Sequence, residues 1–353
     1  MTASSPNSIV GHSTSEDSGG SRNVTSGDDS RRLLSVSLDL DNLWSYMKVH
    51  GDSGWQSFPS YFDPLVEIVL DRLKKHGLTI TVFVVGQDAA LEKNSRPLRA
   101  LGDAGHEIAN HSFHHQPWFH LYSHDEIEEE ISMAESAIEK ATGKRPKGFR
   151  GPGFSLSPAT LRVLAQRGYA YDATTFPTFL GPLARMYYFW TNRDLSKEER
   201  AQRKRLFGRW KEGFRPIRPY TWEVDGHRLV EIPVTTMPIF RIPIHMSYLM
   251  YLASYSPALS RAYLWTTLKL CCSFGVEPSF LLHPLDFLGG DKVRELSFFP
   301  GMNLDTEFKL NLLDHVIESL KRHFSLVTME SHAQAVLGRE TVPRKKLSAE
   351  AVF

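Results

Sequence analysis

At 353 residues, with 41% apolar and 23% charged side chains, the composition is that of an ordinary globular protein, long enough for one large domain or two smaller ones. The 41 basic and 40 acidic residues nearly cancel, which excludes a globally basic nucleic-acid binder and leaves any basic surface local. The two cysteines, Cys271 and Cys272, are adjacent in an apolar segment and cannot build a disulfide framework, so they read as reduced thiols.

Residues 1–32 are rich in Ser, Gly, Asp, Asn and Thr, and such a stretch is expected to be a disordered tail. It shows no basic start followed by an apolar core, so a cytoplasmic location is expected. The body, 33–340, alternates strand and helix signals. In "SVSLDLDN" (Ser35–Asn42), Val36, Leu38 and Leu40 alternate with Ser37, Asp39 and Asp41, the pattern of a strand. That pattern places Asp39 and Asp41 on one face, about 7 Å apart. Strands disfavour Asp and like charges repel, so the pair calls for a positive partner.

A helix follows from Asp63-Pro64 to Gly77, then a β-branched strand at Thr79–Gly86, a helix around Leu98 and Leu101, and a short strand in "HEIANHS". Ser123 and Glu126 make a capping box for a helix with Ile127, Ile131, Ala134 and Ile138 on one stripe. Another helix opens at Ser157-Pro158 and closes at Gly168, before the strand "YAYDAT". Further strands are expected at Leu229–Thr236, Ser279–Pro284 and Phe324–Met329, the last two separated by a helix carrying Phe308, Leu312, Val316 and Leu320. Repeated βα units predict an α/β fold with a parallel sheet, open or closed into a barrel.

Two stretches break the rhythm. Residues 180–222 hold a basic, charged patch and read as an inserted helical or loop segment. Residues 237–272 are crowded with apolar side chains but interrupted by Arg241, His245, Arg261 and Lys269, and no run reaches the 18 or so apolar residues of a spanning helix. Both read as a subdomain packed on the body, or as a surface for an amphiphilic or anionic substrate or a membrane face. Residues 341–353 read as a second tail.

Candidate chemistry concentrates in five clusters. His111 and His115, four apart in "HEIANHSFHH", can turn two imidazoles toward one point. Two histidines and one carboxylate make a site for a divalent ion, which would neutralise one of the paired aspartates and leave the other beside activated water. Arg150, in the Gly/Pro-rich "FRGPGF", is suited to a two-pronged grip on a carboxylate. Asp172 ends the strand "YAYDAT". His283 ends "FLLH", where a near-neutral pKa makes it a candidate proton donor.

In this order, "SLDLDN", "GHEIANHSFHH", "FRGPGF", "YDATTF" and "LLHP" resemble the five motifs of the polysaccharide deacetylase (NodB-homology) family of carbohydrate esterases. The likeness runs from Leu34 to Phe287, leaving out the tails and the insertion. It implies a distorted (β/α) barrel with the site at the C-terminal ends of the strands. It also implies metal-dependent hydrolysis of an N-acetyl group on an amino sugar. Carried over, Asp41, His111 and His115 hold a divalent metal, with zinc expected and cobalt, nickel, iron or manganese as other candidates. Asp39 is the general base, Arg150 positions it, and His283 protonates the leaving amine.

The resemblance also suggests an oxyanion or substrate contact near Gly153 and Asp172, and Asp172 or Glu231 as the acid that tunes His283. Members often have adjacent acids where this chain has a spaced pair, and an aromatic residue where it has Gly153. The expected partner is an N-acetylated sugar in a polymer or on a nucleotide- or lipid-linked precursor, with peripheral membrane contact through the apolar segment and no nucleic acid. Competing readings are a deformylase or cyclic-amide hydrolase of the same fold, against which the metal set argues in its metal-free form, and a non-catalytic carbohydrate-binding relative, against which Asp39 and His283 argue.

Overall fold

The computed structural model describes residues 31–179 and 210–347. Strand β1 (Leu33–Leu40) leads into helices α1 (Leu43–His50) and α2 (Phe62–Lys75). Strand β2 (Thr81–Val84) is followed by α3 (Gly86–Ala90) and α4 (Ser95–Asp103), β3 (Glu107–Asn110) by α5 (His124–Thr142), and β4 (Gly148–Phe149) by α6 (Pro158–Gln166). Then come β5 (Tyr171–Asp172), β6 (Tyr220–Val224), β7 (His227–Glu231), α7 (Met246–Tyr255), α8 (Pro257–Phe274) and β8 (Ser279–Leu282). The last elements are α9 (Thr306–His323), β9 (Ser325–Val327), α10 (Met329–Leu337) and β10 (Arg344–Lys346).

The helix boundaries follow local chemistry. Ser123 and Glu126 form the expected capping box at the start of α5, which stops at Gly143 in the left-handed region (φ 73°). Ser157 caps α6 with Pro158 in its first turn.

Strands β8, β1, β2, β3, β4, β5 and β7 are neighbours in that order, all parallel. Beyond β7 the chain runs on to Thr235, whose N–H donates to Ser279 O (3.2 Å) while Ser279 N–H donates to Thr235 Oγ1 (2.6 Å). This contact joins the β7 side of the sheet to β8 and closes a distorted barrel, the form that the family resemblance implies and one of the two that the βα pattern allows.

Three features differ from the sequence reading. Strand β6 lies antiparallel to β7, and its Tyr220–Trp222 fall within the stretch read as an insertion up to 222. Strand β10 pairs with β6, so the stretch read as a tail from 341 contributes an edge strand. The apolar segment 237–272 forms most of the α7–α8 hairpin. Residues 1–30, 180–209 and 348–353 lie outside the described residues.

The alternation in β1 runs opposite to a surface strand. Leu34, Val36, Leu38 and Leu40 point outward into the main core, with Leu65 and Val69 of α2 and Leu313 and Val316 of α9. The buried Ser35, Ser37 and Asp39 face the lumen, where Phe83, Tyr171, Ala173 and Val230 cluster with Met329 and Ala333 of α10. Helix α10 plugs the end where the strands begin: Met329 N–H donates to Thr81 Oγ1, and His332 Nδ1 meets Ser35 Oγ at 3.1 Å. The opposite end, where the strands stop, stays available for a site.

Helices α3 and α5 approach so closely that a Cβ on Gly86 would lie 2.7 Å from Ala134 Cα and 2.6 Å from the Phe113 ring. Gly86→Ala is therefore expected to destabilise the fold by about 1–3 kcal/mol through overpacking. Thermal unfolding checks this, with a fall in Tm of about 2–4 °C per kcal/mol; an unchanged midpoint would mean the two helices stand further apart.

Candidate active site

Strand β1 ends at Leu40, and Asp41 N–H turns back to Asp39 O (2.9 Å). This tight turn takes Asp41 out of the strand's alternation, so the two carboxylates do not share a face as the period-two reading expected. Asp39 stays in the lumen, and Asp41 swings toward the end of β3. The corner is held from both sides: Tyr61 O–H donates to Asp41 O, and Asn42 Nδ2 donates to Ser60 Oγ and to Asp88 Oδ1. Burial pushes the Asp88 carboxyl up to about 7, against the pull of its bonds from Asn42 and Trp44.

The two imidazoles converge through a turn rather than a helix. Ser112 and His115 have φ of 61° and 52°, left-handed values that L side chains rarely adopt, and Ser112 Oγ accepts the His115 N–H. His111 Nδ1 lies 2.7 Å from Arg150 O and must donate to it, which leaves Nε2 facing the site. One ligand atom from each of Asp41, His111 and His115 lies within 4.8 Å of the other two.

The site tests well as a cation cradle. His115 Nε2 and His111 Nε2 stand 3.0 and 3.7 Å from Asp41 Oδ1, yet that buried oxygen accepts no aligned hydrogen bond. Ligand atoms converging with no aligned hydrogen bond to Asp41 Oδ1 suit a metal ion, and two imidazoles with a carboxylate suit zinc and similar divalent ions. Burial by itself would raise Asp41, but His115 and His111 draw it down to about 2. Burial lowers His111, which is thereby kept neutral. Burial would also lower His115, but Asp41 outweighs it and the imidazole is raised.

Beside this cradle Arg150, fully buried, donates from Nη1 to Asp39 Oδ1 (2.5 Å) and Ser37 Oγ, and from Nε to Ala173 O. Its guanidinium lies 4.2 Å from the centre of the Phe83 ring. Asp39 is therefore fixed through one oxygen.

His283 follows β8 with its backbone N–H donated to Asp286 Oδ2 (2.7 Å) and its Nδ1 3.2 Å from Ser247 Oγ, at the start of α7. The loop after it is pinned by buried Lys309, whose Nζ donates to Leu285 O and Leu288 O and which burial pulls down to about 8. The candidate tuning acids sit elsewhere. Asp172 and Glu231 are register partners, both fully buried, bonded to Thr174, Thr175 and Trp222. Burial and the neighbouring Glu231 charge hold the Asp172 carboxyl well above its usual range. Asp172 is therefore not presented to a substrate, and the acid bonded to His283, at its main-chain N–H, is Asp286.

Gly153 adopts φ 59° on the exposed rim beside Pro117. Its neighbour Phe154 packs against Phe176 in a tilted pair with centroids 4.6 Å apart, so an aromatic wall exists one residue along from the expected position. Phe176 lies 6.4 Å from His245, which lies 5.5 Å from His283. Asn42, Ser247, Asp286 and this wall were missed from sequence. Only Asp286 carried a signal, the His-x-x-Asp spacing of "HPLD" that mimics a capping box.

The model for the family "Polysaccharide deacetylase" matches residues 52–171, a stretch that includes His111, His115 and Arg150. Over that stretch the chain is similar to the polysaccharide deacetylase family. It is 35% identical over 102 residues to peptidoglycan-N-acetylmuramic acid deacetylase PdaA of Bacillus subtilis, covering 29% of this chain and 38% of that protein. It is 27% identical over 179 residues to a peptidoglycan deacetylase of Helicobacter pylori, covering 49% of this chain and 60% of that one. These matches span less than two thirds of either relative. A crystal structure from Mycobacterium smegmatis, described as a polysaccharide deacetylase, aligns over 91% of this chain and 95% of its own with a TM-score of 0.57 at 19% identity, a likeness of fold.

A cradle of this kind predicts proton release on metal binding. His115, raised above its ordinary value, gives up its proton to accept an ion, so zinc affinity climbs as pH rises through that pKa and levels off above it. Calorimetry in two buffers of different ionisation enthalpy reads the released proton, and Asp41→Asn is expected to lose more than about 100-fold in affinity. Wild-type affinity in that variant would place the ion elsewhere.

Proposed function

We propose that this protein is a metal-dependent hydrolase that removes an N-acetyl group from an amino sugar in a glycan of the peptidoglycan kind. The observation that carries the reading is the convergence of Asp41, His111 and His115 beside an Arg150-gripped Asp39. A divalent ion held by those three, for which zinc fits the donor set, supplies Lewis acidity toward the amide carbonyl and lowers the pKa of water.

The chain's own residues do the rest. Asp39, one oxygen held by Arg150, takes the proton of the attacking water on the other. His283, oriented through Ser247 and Asp286, delivers a proton to the departing nitrogen, which cannot leave as an amide anion. The backbone around Gly153 is the candidate for oxyanion support, and the Phe154–Phe176 pair offers an apolar face to a sugar ring. The names of the relatives support the substrate class, and the acid-free helical hairpin supports the finer reading of a substrate met at a membrane or carried on lipid.

Acetate release from a panel of free, nucleotide-linked and polymeric N-acetylhexosamines tests the reaction. Asp39→Asn is expected to lower kcat by about 10²–10⁴-fold with metal content unchanged; undiminished release would remove Asp39 as the base. Asp286→Asn is expected to lower kcat while leaving KM and metal content near wild type, measured on the same substrate, because it loosens His283 rather than the cradle.

A further inference from the structure

From Ile232 to Val276 the chain has no acidic residue, in a protein with 40 of them among 353. The bias reaches the surface. The exposed positions of α8 include Leu259, Arg261, Ala262, Trp265 and Lys269, whereas exposed positions of α5 include Asp125, Glu126, Glu129 and Glu139. A solvated helix face normally mixes both signs, so this one is built for a different neighbour.

Its side chains describe that neighbour. Tyr255 is 73% exposed, Trp265 60% and Leu259 50%. Tyr263 O–H donates to Pro243 O, tying to α8 the preceding turn, where Ile239 and Phe240 are 61% and 60% exposed. Exposed apolar groups in such number, on adjoining elements, mark a contact surface. Cations surround it: Arg261 and Lys269 on the helix, and at its C-terminal end Arg32 and Arg218, whose guanidinium groups donate to Cys272 O and Phe274 O. No helix among the described residues is long and apolar enough to cross a membrane. Tyr, Trp and Leu interleaved with Arg and Lys, without acids, is the composition of a helix lying in the headgroup region.

We infer that the α7–α8 hairpin docks the protein on an anionic phospholipid surface. The hairpin also reaches the site: His245, just before α7, and Ser247 in its first turn lie beside His283, and the ten residues of α7 span about 15 Å to Tyr255. Docking therefore holds the strand-end opening close to the headgroups. The proposal deepens the membrane-facing part of the reading above, yet it is measured by partitioning, without turnover.

The test is co-sedimentation of the full chain with phosphatidylglycerol/phosphatidylcholine vesicles and with pure phosphatidylcholine vesicles at low salt. Retention on the anionic vesicles only is expected, weakening as salt is raised. Arg261→Glu with Lys269→Glu is expected to cut partitioning at least tenfold, at about fivefold per cation lost. Leu259→Ser with Trp265→Ser is expected to abolish retention, while both variants keep wild-type thermal unfolding and wild-type release of acetate from a soluble substrate. No retention of the wild type, equal retention on both vesicles, retention unchanged in folded variants, or a dimer that the apolar variant dissolves while vesicles are ignored would each overturn the proposal. Loss of acetate release in the wild type with retention intact would overturn the reaction and leave the docking standing.

Discussion

A guanidinium sealed inside a protein has to be matched on every side, and the barrel of this chain is arranged around one. Arg150 is fully buried, and its donors go to Asp39, Ser37 and the Ala173 carbonyl, with its plane against Phe83. The desolvation cost of such an ion is several kcal/mol, recovered only when geometry and hydrogen bonds are complete. The same residue offers its carbonyl to His111 Nδ1. Side chain and main chain of Arg150 thus set Asp39 and one of the imidazoles at once, and the polar inner face of β1 receives the side chain.

That dependence explains which parts of the molecule were legible in its sequence. The βα rhythm, the helix caps and the apolar face of β1 are local patterns, and they lead to a parallel α/β sheet, open or closed; the barrel itself was implied by the family resemblance. The acids of β1, the histidine pair, Arg150 and His283 were also legible, because ionisable groups at strand ends are costly unless they have work to do. Asp286 was readable in principle from its spacing to His283. Ser247 was not, since a serine at a helix start is ordinary and only the tertiary packing of α7 brings it to the imidazole. Asp172 and Glu231 were misplaced for a related reason: a sequence reveals that two acids lie at strand ends, but the registry of β5 with β7 decides that they meet each other. Strand β6 and the edge strand β10 were hidden in stretches read as an insertion and a tail, because local composition says little about an edge strand whose neighbour is chosen at a distance.

Closure of the barrel rests on a modest join. Thr235 and Ser279 exchange hydrogen bonds where a longer ladder would be expected, and the segment between them in sequence leaves the barrel to form the α7–α8 hairpin before returning as β8. The hairpin is in this way spliced into the wall of the barrel immediately before the strand that delivers His283. Its N-terminal end contributes Ser247 and His245 to the surroundings of that imidazole, so the hairpin and His283 are parts of one continuous excursion of the chain.

The hydrogen bond from Asp41 N–H to Asp39 O has a wider meaning. Because that small loop, latched by Asn42 and Tyr61, aims the second carboxylate, the pleat of the strand does not determine where it ends up. With Leu40 between the acids, the bend still leaves the carboxylate of Asp41 facing the imidazoles. Spacing within the acid pair is therefore a poor criterion for judging whether a distant homologue has kept or lost its chemistry; the residues that fasten the bend are the better guide.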